Sequence, residues 1–146
     1  MKRCSILLFG VFSYSVFFAT FLYACGFVGN VMLPKSIDSA PGTPFAQALL
    51  VDILLLGVFA LQHSVMARPA FKRWLTARIP ASIERSTYTL ASSLALIALF
   101  AFWQPLGGVI WSIERPLARG VLHGLFAGGW LLVLYTTFLI NHFDLF

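Results

Sequence analysis

Three histidines, five carboxylates and two cysteines are this chain's main stock of side chains able to move protons, bind metals or act as nucleophiles. Their placement restricts the chemistry more than their number does. Asp52 and His123 each lie a few residues inside an apolar run, where an ionisable group is costly and needs a partner. If both runs descend from the same membrane face, Asp52 lies about 10 Å below its start at 1.5 Å per residue, and His123 lies at similar depth. An Asp52–His123 hydrogen bond is expected. It serves either as a polar clasp between two helices or in a proton or substrate path.

A second set lies at the opposite ends of the same runs. Gln62-His63-Ser64 closes one, and Asn141-His142-Phe143-Asp144 closes the other. Two histidines at matched depth can ligate a haem. They can equally cap helices, line a substrate entrance or hold a following cytoplasmic segment. No second histidine pair or haem-attachment motif accompanies them. The sequence has no nucleophile–base pair, phosphate-binding glycine loop or acidic metal cluster. It also lacks paired zinc-ligand spacing, so no metal is expected. Cys4 and Cys25 both fall in the first apolar segment, which argues against a disulfide framework.

The elements that position these groups follow from composition. Of 146 residues, 60% are hydrophobic and 10% charged, against about 45–50% and 25% in soluble domains. That excludes an ordinary cytosolic enzyme, a disordered chain and a nucleic-acid binder. An all-α integral membrane protein is left, its surface in contact with the lipid bilayer. A crossing helix needs about 20 apolar residues. Four such spans are predicted, at 6–28, 45–67, 86–103 and 120–141, forming one transmembrane domain over 1–146. The first is too long for the h-region of a signal peptide, despite Lys2, Arg3 and a faint lipoprotein-like Leu22-Tyr23-Ala24-Cys25. Gly26, Gly29 and Pro34 are expected to loosen its end. Trp103 and Trp111 bracket a Pro105–Gly108 turn, as interfacial anchors do.

Charge orients the bundle. Lys2 and Arg3 precede the first span. The 68–85 segment carries Arg68, Lys72, Arg73, Arg78 and Arg85 against Glu84 alone. The other connections hold only Lys35, and Arg115 with Arg119. By the positive-inside rule both termini and the 68–85 loop are cytoplasmic. Phe71, Trp74, Leu75 and Ile79 recur at helical spacing among the loop's cations, which predicts a short helix at headgroup level. Gly120, Gly124 and Gly128 put a flat face on the fourth span, suited to close helix packing or to a helical partner.

Several strings then resemble one family. They are Val28-Gly29-Asn30 with Pro34-Lys35-Ser36-Ile37-Asp38, and Leu61-Gln62-His63-Ser64-Val65-Met66-Ala67-Arg68. Phe71-Lys72-Arg73-Trp74, Glu84-Arg85-Ser86-Thr87-Tyr88, Trp103-Gln104-Pro105 and Asn141-His142-Phe143-Asp144-Leu145-Phe146 complete the set. Together they resemble the bacterial membrane methanethiol S-methyltransferases. That family is similar to the NnrU proteins and to the isoprenylcysteine carboxyl methyltransferase-like membrane enzymes. The resemblance covers essentially the whole chain. It implies a multi-span enzyme of the bacterial inner membrane that methylates methanethiol to dimethyl sulfide with S-adenosylmethionine. Members continue past the Asn141–Phe146 string with an Arg-His-Pro segment, a further span and a charged tail. The resemblance places most cofactor binding there, so the chain is expected to be a truncated enzyme or one completed by a second polypeptide. The alternative is a non-catalytic membrane subunit, or an NnrU-like protein of another role. His63 is the expected catalytic candidate, as base or as anchor. Asn141, His142, Arg85 and Tyr88 are expected near substrate or cofactor. Arg68, Arg85 and Glu84 either guide an anionic cofactor or pair with neighbouring charges.

Overall fold

A computed structural model describes residues 2–141, leaving aside the side chains at 2, 138, 140 and 141. Among the described residues the chain is helix and loop, with no strand. Five α-helices follow in order: α1 Lys2–Gly29, α2 Phe45–Ala67, α3 Pro69–Thr76, α4 Glu84–Phe102 and α5 Pro116–Asn141. A 3₁₀ turn, Ala81–Ile83, leads into α4. Four helical stretches are long and apolar enough to cross a membrane: Arg3–Gly29, Phe45–Ala67, Ala81–Phe102 and Pro116–Thr137. Their outward faces carry large apolar side chains such as Leu8, Phe12, Leu54, Leu61, Leu125 and Leu132. Helices apolar all round belong in a core or in lipid. This is a multi-pass membrane architecture.

Helix boundaries follow local chemistry. Asn30, at φ 54°, adopts the left-handed conformation just past α1, and the Val31 N–H bonds back to the Gly26 carbonyl at 3.0 Å. This is a Schellman stop, with asparagine in the usual glycine place. Gly26 is needed for close approach: a Cβ there would lie 2.9 Å from the Val31 carbonyl oxygen and 3.0 Å from Leu33. The glycines expected to loosen this end therefore help to terminate it. Pro69 forces Arg68 into an extended conformation, φ −71° and ψ 139°. That residue ends α2 and starts α3, because a residue before proline avoids the helical region. α5 starts at Pro116, four residues ahead of the expected span, because proline's fixed φ suits the first helical position.

Backbone contacts group the chain into two units, Met1–Leu106 and Gly107–Phe146. In the first, α4 is central and packs along both α1 and α2. α2 runs opposite to α4: Asp52 bonds to Gln104, whereas His63 meets Tyr88. α1 runs parallel to α4, with Gly10 beside Ser86 and Phe27 against Phe100. The densest packing is aromatic. The rings of Phe27 and Phe100 lie 4.9 Å apart, and Trp103 stands edge-on to Phe27 at 6.0 Å. Trp103 also donates its indole N–H to the Ile37 carbonyl at 3.3 Å. It is thus part of the unit's packing, beyond the anchor role its sequence position suggests.

Small hydroxyls occupy buried positions in this unit. Ser13, Thr20 and Ser93 each donate to a carbonyl one turn earlier, at 2.8, 2.7 and 2.8 Å. Back-bonding satisfies a hydroxyl where no water can. The second unit contains α5, entered through Gly107 and Gly108 at φ 71° and 79°. Gly120, Gly124 and Gly128 lie along its length.

Candidate functional site

Of the expected polar groups, Asp52 falls in one cluster of the first unit and His63 with Tyr88 in another. Eleven residues separate Asp52 from His63 on α2, about 16 Å along the helix.

The Asp52 cluster holds the start of α2 against the end of α4. Asp52 is 3% exposed. Its Oδ1 accepts the Gln104 backbone N–H at 2.8 Å. Its Oδ2 is buried with no partner among the described residues. The Thr43 hydroxyl donates to the Gln104 side-chain carbonyl at 3.3 Å. Lys35 donates to the Ala101 carbonyl at 2.7 Å. This cation at the C-terminal end of α4 meets one of the carbonyls left free by the helix and opposes the dipole. Asn30 bonds to Asp38 across the connecting loop. These contacts tie the 30–44 loop over the end of α4. His123 lies on α5, in the second unit.

The His63 cluster joins the far end of α2 to the start of α4. The Tyr88 hydroxyl lies 3.0 Å from both ring nitrogens of His63. The two rings are 5.3 Å apart, and Phe59 covers His63 from its own helix at 5.5 Å. Ser92 Oγ lies 3.4 Å from His63 Nδ1. Gln62 Nε2 donates to the same oxygen at 3.3 Å and to the Met66 sulfur at 3.0 Å. Gln62 Oε1 is buried without a partner among the described residues. His63 itself is exposed. Its polar partners are side chains of α4, so it ties two helices together and caps neither. The sequence pointed to His63 and Tyr88, and the structure brings both together. Ser92 was missed. Its i+4 spacing from Tyr88 was the available signal, since such residues share a helix face.

The cations beside this end have their own partners. Lys72 faces Glu84 at 3.9 Å. The Arg78 guanidinium sits 4.1 Å above the Trp74 ring and donates to the Trp74 carbonyl at 2.9 Å. Phe71 and Trp74 stack on α3 at 5.3 Å, and none of α3 is buried. The short helix expected among the cations is present. Arg85 stands in the first turn of α4, half-buried. His142 and the side chain of Asn141 lie outside the described residues.

The 61–68 string closes α2 and the 84–88 string opens α4, so these two family-like strings meet at the His63 cluster. No protein-family profile matches the chain, and no solved structure does. Curated relatives do match. The chain is 53% identical over all 146 residues to a methanethiol S-methyltransferase of Crocosphaera subtropica. It is 51% identical over the same length to one of Mycobacterium tuberculosis. The chain is similar to the methanethiol S-methyltransferases. It spans 57% and 60% of the lengths of these two enzymes. A more distant similarity reaches Nurim of Xenopus laevis, 30% identical over 129 residues, or 82% of this chain and 44% of that protein.

Proposed function

We propose that this chain is the membrane-embedded, thiol-side part of a methanethiol S-methyltransferase of the bacterial inner membrane. One observation carries the reading: Gln62, His63, Tyr88 and Ser92 converge between α2 and α4, two helices long and apolar enough to cross a membrane. Methanethiol is small and apolar, so it partitions into such surroundings. A sulfur nucleophile is hindered by its water shell, and a dry site removes that shell. What remains is to hold the sulfur in place and support its charge, which is work for hydrogen-bonding side chains. His63 is the residue placed to touch the thiol, with Tyr88 beside it.

S-adenosylmethionine is the proposed methyl donor. An apolar cleft in the first unit does not suit it. That cleft, about 520 Å³ between α1 and α4, is lined by Val16, Ala19, Thr20, Tyr23, Ile97, Phe100 and Ala101. The Thr20 hydroxyl is already committed to Val16. A purine with a charged amino-acid end needs more polar partners than this. The donor site is therefore proposed to involve sequence that the relatives carry beyond the matched region. Asn141, His142 and Arg85 are proposed to face that site.

The proposed topology puts both termini and α3 in the cytoplasm, where the donor is available. α3 then lies at the headgroups, with Trp74 and Phe71 toward the acyl chains. The glycine face of α5 is proposed as a helix contact.

The test is direct. Membranes carrying the chain receive S-adenosylmethionine and methanethiol, and headspace dimethyl sulfide is measured. A second arm adds the unmatched portion of the Crocosphaera relative as a separate polypeptide. Product in either arm supports the reading. No product in both would refute it in favour of a non-catalytic membrane subunit.

A further inference from the structure

The segment from Arg68 to Glu84 joins α2 to α4, two membrane-crossing helices that run antiparallel. It therefore lies at one membrane face. α3 packs against both helices. Phe71, Leu75 and Ile79 recur every fourth residue and are half-buried. The backbone stays helical to Ile79, whose N–H bonds to the Leu75 carbonyl at 3.0 Å. A helix turns about 100° per residue. Arg73 stands two residues from both Phe71 and Leu75, so it projects from the opposite face, away from the bundle. Trp74 lies between the two faces and is 51% exposed.

The cations here are unequally engaged. Lys72 faces Glu84, the one carboxylate of the 68–85 segment, at 3.9 Å. Arg78 lies 4.1 Å above the Trp74 ring, so a cation sits at the level of the exposed indole. Arg68 and Arg73 are exposed, and neither side chain has a hydrogen bond or ion pair among the described residues. Two guanidinium groups thus lack an anion near a half-exposed indole. A lipid satisfies both, with acyl chain for the ring and phosphate for the cations. Guanidinium forks match phosphate oxygens in pairs. The phosphate of a zwitterionic lipid is already balanced by its own ammonium group. An acidic headgroup leaves its phosphate charge for the protein to balance.

We propose that α3 and the bend before it form a binding surface for acidic phospholipid, with Arg68 and Arg73 on headgroup phosphate and Trp74 against the upper acyl chain. Tryptophan suits that level because its body is apolar and its N–H is polar. The proposal goes beyond a headgroup-level helix by selecting the lipid. It rests on the membrane architecture and holds with or without methyl transfer, in either leaflet. The segment connects the His63 end of α2 to the Tyr88 end of α4, so the lipid is held beside that cluster.

Native mass spectrometry of the chain, released from detergent with equimolar phosphatidylglycerol and phosphatidylcholine, counts the first lipid retained. Wild type should retain phosphatidylglycerol over phosphatidylcholine by about fivefold or more, since each arginine near an acidic lipid surface contributes about 1 kcal/mol. Arg68→Gln with Arg73→Gln should bring the preference below about twofold. Neither side chain has a partner to lose, so the unfolding midpoint should stay in place. Arg68→Lys with Arg73→Lys keeps both charges and should keep most of the preference. Arg115→Gln with Arg119→Gln removes two cations of the other unit and should leave it standing. No preference in wild type, an unchanged preference in the double glutamine variant, or an equal loss in the Arg115 and Arg119 variant would each overturn the proposal. Glycerol phosphate, added at the lipid's concentration, should not displace phosphatidylglycerol. Displacement would overturn the proposal in favour of a soluble phosphate ligand.

Discussion

Replacing Asp52 tests whether one carboxylate oxygen or both hold the end of α4. Oδ1 accepts the Gln104 N–H at 2.8 Å, and Oδ2 has no partner among the described residues. Pro105 follows, so Gln104 favours an extended backbone and its N–H cannot simply rejoin the helix. Asp52→Ala removes the acceptor and leaves a part-buried N–H unpaired, at a cost of about 1–3 kcal/mol. Asp52→Asn keeps a carbonyl oxygen for Gln104 and changes only the unpartnered side, so it costs under about 1 kcal/mol. For a chain of this length each kcal/mol corresponds to roughly 2–4 °C. Asp52→Ala should therefore melt about 2–12 °C below wild type in detergent, and Asp52→Asn within about 4 °C. The measurement is thermal unfolding followed by intrinsic fluorescence, at fixed detergent and pH. Equal losses in the two variants would refute the reasoning, because Oδ2 would then carry an interaction of its own.

Three further outcomes are expected. Gly26→Ala forces a Cβ to 2.9 Å from the Val31 oxygen and should cost about 1–3 kcal/mol; an unchanged unfolding midpoint would show that the α1 terminus gives way freely. Tyr88→Phe deletes the hydroxyl beside His63 and should lower dimethyl sulfide formation by about tenfold or more, since a hydrogen bond to a charged group contributes about 1.5–3 kcal/mol. Lys72→Ala breaks an ion pair of 3.9 Å whose lysine is half exposed; such pairs contribute about 0–1 kcal/mol, and a larger loss of stability would assign Lys72 another role.

The elements were legible because their causes are local. A stretch of about 20 apolar residues must find a hydrocarbon environment, and α2 spans the expected 45–67. The start of α5 was less legible: proline's fixed φ sets it at Pro116, four residues ahead of the expected span. The cation-rich 68–85 segment read as a helix from its aromatic spacing, and α3 occupies Pro69–Thr76. The ends of α1 were less legible. A left-handed asparagine two residues before another left-handed residue, Met32 at φ 59°, has no strong signature in composition.

The site divides in the same way. The sequence by itself placed Asp52 a few residues inside an apolar run and His63 at the end of the same run, through their neighbours along the chain. The uneven placement of lysine and arginine is the basis of the proposed sense of the membrane crossings. Tertiary structure decided what each polar group touches. The hydroxyl that reaches His63 is Ser92 on another helix, while Ser64, adjacent in sequence, is not its partner. Antiparallel packing of α2 on α4 makes that pairing, and spacing along one helix cannot reveal it. Asp52 is bound by a backbone N–H, a group every residue but proline carries. Gln104 lies just past the end of α4 and before Pro105, and the antiparallel packing of α2 on α4 brings its N–H to Asp52.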